Sequence, residues 1–296
     1  MQSRTRRLAI SEGVTAGVLF GTAAIFIRFL PNLDAFSIAF WRVVIASLAL
    51  AASVVVFRRS FTFVLVRNHV KELFILSFFI ALHFILFISA VEDTTILNAT
   101  VLVNTTPIFS MFVSSFFYNL KPSRLALLGL AVSFGGACII ALADASKLGT
   151  AASSVKGDLE AVAAALVESL YLNYGRRVRS QMNILSIMIP IYSFTAIIVG
   201  VLGIAFMRTL PMLPPDATHI LMLLGLGLLP TATAHTLYFS SLSNLKSFET
   251  ATMALLEPVG ATVLGFVFLQ ELPIWWFVLG AALVLMGIVF IIAKEG

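Results

Sequence analysis

Ten stretches of about twenty apolar residues follow one another along this chain with short connections between them, and this limits its fold more than any other feature. A helix needs about 20 largely apolar residues to cross the hydrocarbon core of a bilayer. The stretches lie at roughly 9–29, 35–57, 72–91, 95–118, 123–143, 157–175, 183–207, 217–242, 248–269 and 273–293. The first follows Arg4, Arg6 and Arg7 as a signal peptide would, but it outruns a signal peptide's apolar region. It also has no clear small-residue cleavage site before Pro31, so it reads as a helix. Charged residues make up only 11% of the chain, against roughly 25% in soluble domains. The expected fold is an all-α polytopic membrane protein.

The basic excess, 19 Lys and Arg against 14 Asp and Glu, is placed as a topology signal and not as a nucleic-acid surface. With the N-terminus in the cytoplasm, 14 of the 19 fall in inside loops or flanks and 4 outside (Arg28, Lys147, Lys156 and Arg208), while Arg42 lies within a span. Short-loop Lys and Arg favour the cytoplasm, so both termini are expected there, in a cell inner (plasma) membrane.

The Ala/Ser/Gly-rich connector 143–154 divides five spans from five. An offset of 151 residues aligns Pro107 with Pro258, Pro122 with Pro273, Gly129 with Gly280, and Gly136 with Gly287. Each half holds an odd number of spans, so the second enters the bilayer in the opposite sense. The expected organisation is ten transmembrane helices as two inverted five-helix repeats: 1–145, a connecting loop 146–156, and 157–296.

The run from Leu255 through Glu257, Pro258, Gly265 and Glu271 to Pro273, followed by Gly280 and Gly287, resembles the closing segment of the EamA-type drug/metabolite transporter superfamily. The first half repeats it more weakly in Thr106-Pro107, Pro122, Gly129 and Gly136, and residues Phe40 to Ala46 resemble that family's arginine-bearing second helix. The first half departs from it with Leu120 where the second has Glu271. The resemblance implies a ten-helix carrier of small metabolites, often an exporter, with a central cavity between its halves. Within the superfamily, the aromatic-amino-acid exporters are the branch this chain is expected to join.

Ionisable groups deep in a membrane are costly and mark functional sites. At about 1.5 Å per residue, Arg42 falls roughly 10 Å below the outer face, Glu168 about 16 Å and Asn104 about 14 Å, while His83 and Glu257 fall about 16 and 14 Å above the inner face. His235 comes out nearer the cytoplasm. Glu168 and Tyr171 share a helix face, as do His235 and Tyr238. The expected substrate-binding residues are Trp41, Arg42, His83, Asn104, Glu168, Tyr171, Tyr238 and Glu257. Trp41 also suits an interfacial aromatic belt, and Arg42 could snorkel to the interface. Pro107 and Pro258 interrupt the fourth helix of each half and are the expected hinges, with packing kinks as the alternative. The series Gly13, Gly17 and Gly21 reads as a close helix-packing face.

Several classes are set aside. The single Cys138 forms no internal disulfide or thiolate metal cluster, so redox chemistry, metals and cofactors are not expected. The four histidines form no H-E-x-x-H, and the sequence has neither a G-x-S-x-G elbow nor a phosphate-cradling G-x-x-x-x-G-K-[ST] loop. Neither an enzyme nor an ATP-driven pump is expected. Asn98 and Asn104 match the glycosylation pattern only inside a span. The reading is a secondary-type exporter of small metabolites working by alternating access. Amino acids, including aromatic and apolar ones, are its expected substrates, with another metabolite or a drug-like compound as the alternative and a channel as the more distant one.

Overall fold

In the computed structural model, residues 5–94, 96–145, 154–207, 210, 212–269 and 275–293 are described, and they are helical with no strand among them. Most of the connector (146–153), Glu271 and Pro273 lie outside these residues. The helices are α1 (Arg6–Phe20), α2 (Ala23–Arg28), α3 (Ala35–Val56), α4 (Phe63–Asn68), α5 (Val70–Asp93), α6 (Ile96–Val103), α7 (Thr106–Tyr118) and α8 (Arg124–Ala145). The second half contributes α9 (Val155–Arg179), α10 (Ile184–Met207), α11 (Ala217–Leu226), α12 (Thr236–Ser241), α13 (Ser247–Met253), α14 (Glu257–Leu269) and α15 (Trp275–Ala293). A π-helical turn, Gly227–His235, joins α11 to α12, and a 3-10 turn, Ala254–Leu256, joins α13 to α14.

Polar residues start several of these helices. The side chains of Thr5, Asp34, Ser154 and Asp216 accept hydrogen bonds from backbone N–H groups of Leu8, Ser37, Gly157 and His219, satisfying donors that a helix leaves open at its first turn. Seven helical segments among the described residues are long and apolar enough to cross a membrane. The sixth expected span, α9, is not one of the seven, and the sequence explains why: Lys156, Asp158, Glu160, Glu168, Arg176, Arg177 and Arg179 all lie on it. Among the described residues, α8 is apolar over Arg124–Ile140, and a 3-10 turn lies within the ninth expected span.

The repeat seen in the sequence recurs in the helix boundaries. The offset that aligns the prolines and glycines also carries the first residue of α7 onto that of α14. α8 and α15 pack antiparallel on each other through the aligned glycines. A Cβ on Gly136 would come within 2.6 Å of the Gly280 carbonyl oxygen, and one on Gly129 within 2.5 Å of the Gly287 carbonyl oxygen. At the crossing, the Ser133 hydroxyl donates to the Val284 carbonyl at 3.0 Å, and this pair is separated by the same offset. The contacts are thus interchanged by the repeat: Gly129–Gly287 maps onto Gly280–Gly136.

The glycine series of α1 packs as its spacing predicts. Gly13 lies against Met253, Gly17 against the Met253 backbone, and Gly21 against Glu257 and Ala261. Without side chains at these points α1 can lie directly on the broken helix formed by α13, the 3-10 turn and α14, as small-residue interfaces allow.

Candidate functional site

Both fourth helices break at corresponding places. In the first half, the chain tightens to a turn at Asn104 and Thr105, where the Thr105 N–H donates to the Leu102 carbonyl three residues back at 3.1 Å, and α7 starts with Thr106-Pro107. In the second, α14 restarts with Glu257-Pro258 after the 3-10 turn. Each proline is therefore the second residue of a new helix, where its missing N–H is one the helix would leave unbonded in any case.

The broken helices bring polar groups to a cavity lined by Phe20, Ala23, Arg42, His83, Phe84, Phe87, Val103, Asn104, Glu168, His235, Ala254 and Glu257. It offers about 40 Å³ to the centres of water molecules, room for roughly three to four waters at about 10–15 Å³ each. Five of the eight expected binding residues meet here: Arg42, His83, Asn104, Glu168 and Glu257.

One wall is acidic. Glu168 Oε2 accepts a hydrogen bond from the Thr106 hydroxyl at 3.1 Å and lies 3.9 Å from His83 Nδ1. That nitrogen donates to the Ala164 carbonyl at 3.1 Å, which fixes the ring against α9. Glu257 is within hydrogen-bonding reach of the Asn104 side chain and close enough to Glu168 for the two carboxylates to interact. Both glutamates are buried.

Basic and aromatic groups complete the lining. Arg42 is 2% exposed. Its Nε donates to Thr231 Oγ1 at 3.0 Å, and its guanidinium carbon sits 3.9 Å from the centroid of the Phe84 ring. Thr231 is held in turn. Its hydroxyl donates to the Leu226 carbonyl at 2.6 Å, five residues back in the π-helical turn, and the Tyr192 hydroxyl donates to the Thr231 carbonyl at 2.8 Å. His235, at the end of that turn, packs against Phe20 and Phe84 with ring centroids 4.7 and 5.0 Å away. The turn contains Pro230, and π turns of this kind concentrate at functional sites.

The other three expected residues lie outside the cavity lining. Trp41 donates from Nε1 to the Met212 carbonyl at 2.8 Å, on the exposed side of α3. Tyr171 packs on Phe239 with tilted rings 5.2 Å apart, and among the described residues its hydroxyl reaches Met188 Sδ, at 3.9 Å. Tyr238 stands behind Phe20, edge-on at 5.1 Å. Conversely, the sequence reading does not select Phe20, Phe84 or Thr231. Thr231 has a signal in its neighbour Pro230 and in Tyr192 on the facing helix, whereas Phe20 and Phe84 are two of 26 phenylalanines with nothing to mark them.

Comparison with known proteins agrees with this architecture. A family model described as the EamA-like transporter family matches residues 7–142 and again 155–293. The "Uncharacterized transporter YxxF" of Bacillus subtilis (strain 168) is 22% identical over 300 residues, covering 100% of this chain and 93% of that protein. A solved structure described as "Crystal structure of protein" superposes with a TM-score of 0.78 at 20% identity, over 98% of both chains. That likeness is one of fold.

Proposed function

The chain belongs to the EamA-like transporter family, a multi-pass membrane carrier of small molecules, and on that premise we propose that it exports amino acids with apolar or aromatic side chains by alternating access. The observation that carries this reading is the cavity in which Arg42 faces Glu168 and Glu257 among phenylalanines. Opposite charges and apolar surface in one small space match a zwitterion with an apolar side chain. As described, the cavity holds a few waters, so the side chain of a bound amino acid requires the helices around it to part. The test is counterflow in liposomes with purified protein and a panel of amino acids. Saturable exchange supports the carrier, an unsaturable leak points to a channel, and a new product points to an enzyme.

The carrier is built from ten spans as two inverted repeats, 1–145 and 157–296, in the inner (plasma) membrane with both termini cytoplasmic. Supporting this are the helix start of α7, which recurs at the repeat offset as that of α14, and the glycine contacts interchanged between α8 and α15, a pairing that a twofold axis in the membrane plane produces. The basic ends agree in sign, since Arg176 and Arg177 then face the cytoplasm. In a Cys138→Ser background, Lys156→Cys is expected to react with an impermeant reagent on intact cells and Arg177→Cys only after lysis. The reverse pattern would overturn the orientation.

Export of an accumulated metabolite needs no coupled ion, so transport is expected to be facilitated diffusion. A pH gradient that drives substrate above its equilibrium distribution, with loss of that effect in Glu257→Gln, would replace this by proton coupling.

Pro107 and Pro258 hold the two helix breaks apart, because a proline in a helix interior costs about 3 kcal/mol. With alanine there, the segments on either side are free to join into one stiffer helix. Pro107→Ala and Pro258→Ala are expected to keep substrate affinity and slow exchange, most in the double variant. Wild-type rates in all three would reduce the prolines to packing features, and lost affinity at unchanged turnover would place them in the binding site.

A further inference from the structure

Among the described residues that line this cavity, two side-chain polar atoms are buried without a hydrogen-bonding partner. Arg42 Nη1 and His235 Nδ1 are both buried, both belong to residues at most 5% exposed, and both residues line the same wall. Their common neighbour is Phe84, which lies under the Arg42 guanidinium and against the His235 ring. No carboxylate among the described residues comes within ion-pairing distance of Arg42. Glu168 is engaged across the cavity by Thr106 and lies near His83, and Glu257 is near Asn104.

A buried cation is normally paired, because desolvating a charge without compensation is expensive. Here the fold goes further and fixes the cation in place. Thr231 Oγ1 accepts from Nε and is itself locked to the Leu226 carbonyl by the π-helical turn, while Tyr192 holds the Thr231 backbone. The aromatic face of Phe84 supports the guanidinium from below, a favourable cation–π arrangement. What is left open is the outer edge of the guanidinium, with the imidazole of His235 beside it. A guanidinium edge is shaped to receive two oxygens of one carboxylate.

We propose that the Arg42–His235 corner is an anion subsite that takes the carboxylate of the transported molecule, with Glu168 and Glu257 receiving its cationic group. The substrates are then small zwitterionic monocarboxylates, and amines that lack the acid are rejected. Rejection follows from the same physics as binding, since an amine would leave Arg42 buried and unpaired while placing a positive charge in a cavity that already holds one. This rests on the carrier reading of the same cavity and deepens it by assigning the group that takes the carboxylate and by making that carboxylate a requirement for transport.

The experiment uses matched pairs: alanine with ethylamine, and phenylalanine with phenethylamine, each pair differing only by the carboxylate. Counterflow in liposomes and thermal stabilisation in detergent are measured for the wild type, Arg42→Gln and Arg42→Lys, each first shown to insert and purify as a single species. The wild type is expected to exchange the acid of at least one pair roughly tenfold or more faster than its amine, the scale of one charge-assisted hydrogen bond. Arg42→Gln is expected to bring that ratio close to one, and Arg42→Lys to keep the preference with weaker affinity, because it retains the charge without the fork. Equal exchange of acid and amine by the wild type, or an unchanged ratio in Arg42→Gln, would overturn the subsite and leave the carrier standing. Stabilisation by the acid in wild type but not in Arg42→Gln, without counterflow of any compound, would keep the subsite and overturn the carrier. Neither stabilisation nor counterflow would remove both.

Discussion

Replacing Glu168 by glutamine is expected to lower transport roughly tenfold or more while the protein inserts and purifies as the wild type does. Glutamine keeps the shape and can still accept from Thr106 Oγ1, which now lies 3.1 Å from Glu168 Oε2. It loses the charge that faces the cavity, and charged hydrogen-bonding partners contribute about 1.5–3 kcal/mol each. His83→Ala should reduce transport less, since His83 binds the Ala164 backbone and contacts Glu168 only at 3.9 Å. The informative contrast is Tyr171, one turn further along the same helix face. Its hydroxyl touches only the Met188 sulfur, so Tyr171→Phe should transport normally, whereas Tyr171→Ala should destabilise by about 3–5 kcal/mol through the cavity it leaves. Normal transport by Glu168→Gln, or a transport defect in Tyr171→Phe without loss of stability, would reverse this assignment.

Tyr171 also marks where sequence reasoning reaches its limit. Spacing of three residues puts it on the same face of α9 as Glu168, but a face about 100° wide can meet two neighbours. Here the upper part meets the cavity and the lower part meets Phe239 and Met188. Only the packing partners separate them, and these come from residues distant in sequence.

Depth is legible for most groups because straight helices advance regularly, and so His83, Asn104, Glu168 and Glu257, which counting sets near one level, do line one cavity. For His235 counting gives a position too near the cytoplasm. It takes the regular α-helical rise for every residue, whereas the stretch ending at His235 is a π-helical turn with i→i+5 bonding, which packs more residues into each turn. Arg42, counted nearer the surface and able to snorkel, is instead drawn inward by Thr231 and Phe84. A side chain as long as arginine spans several ångströms, so the depth of its Cα leaves its charge undetermined. The two helix breaks are readable from proline and the repeat offset, but their form is not. Proline can kink a helix or start one, and the tightened turn at Asn104 and Thr105 that decides between them carries no strong sequence signal.

Breaking the contact between Arg6 and Glu249 is expected to favour opening of the end of the bundle we assign to the cytoplasm. Arg6 Nη2 lies 2.6 Å from Glu249 Oε1 and also donates to the Ile292 carbonyl, so one side chain ties α1 to α13 and α15. Glu249 is fully buried, and its second oxygen accepts from the Lys246 backbone N–H at 2.6 Å. Between this contact and the cavity the helices are closed by small polar groups. Ser110 and Ser114 lie four and eight residues past Thr106 on α7, about 6 and 12 Å along the helix, and both engage Asn173 of α9. The Ser241 and Thr250 hydroxyls meet at 2.9 Å. Buried hydroxyls and an amide are poor partners for lipid but suit a path that fills with water when the helices separate.

Removing one partner of a fully buried ion pair costs about 3–5 kcal/mol; here the Arg6 side chain is 26% exposed and Glu249 fully buried, so the cost is smaller, and it falls on the closed arrangement, because in the open one Arg6 can be hydrated more fully. Glu249→Gln isolates the charge, since glutamine can still accept from Lys246 N–H and preserve the cap of α13. Labelling of Ser114→Cys in inside-out vesicles, with Cys138 replaced by serine, should rise roughly tenfold or more when Glu249→Gln is added. Arg6→Gln should raise it less, because it would leave the buried carboxylate able to take up a proton or recruit water. An unchanged labelling rate in both variants would mean that the contact merely caps helices and holds no gate closed.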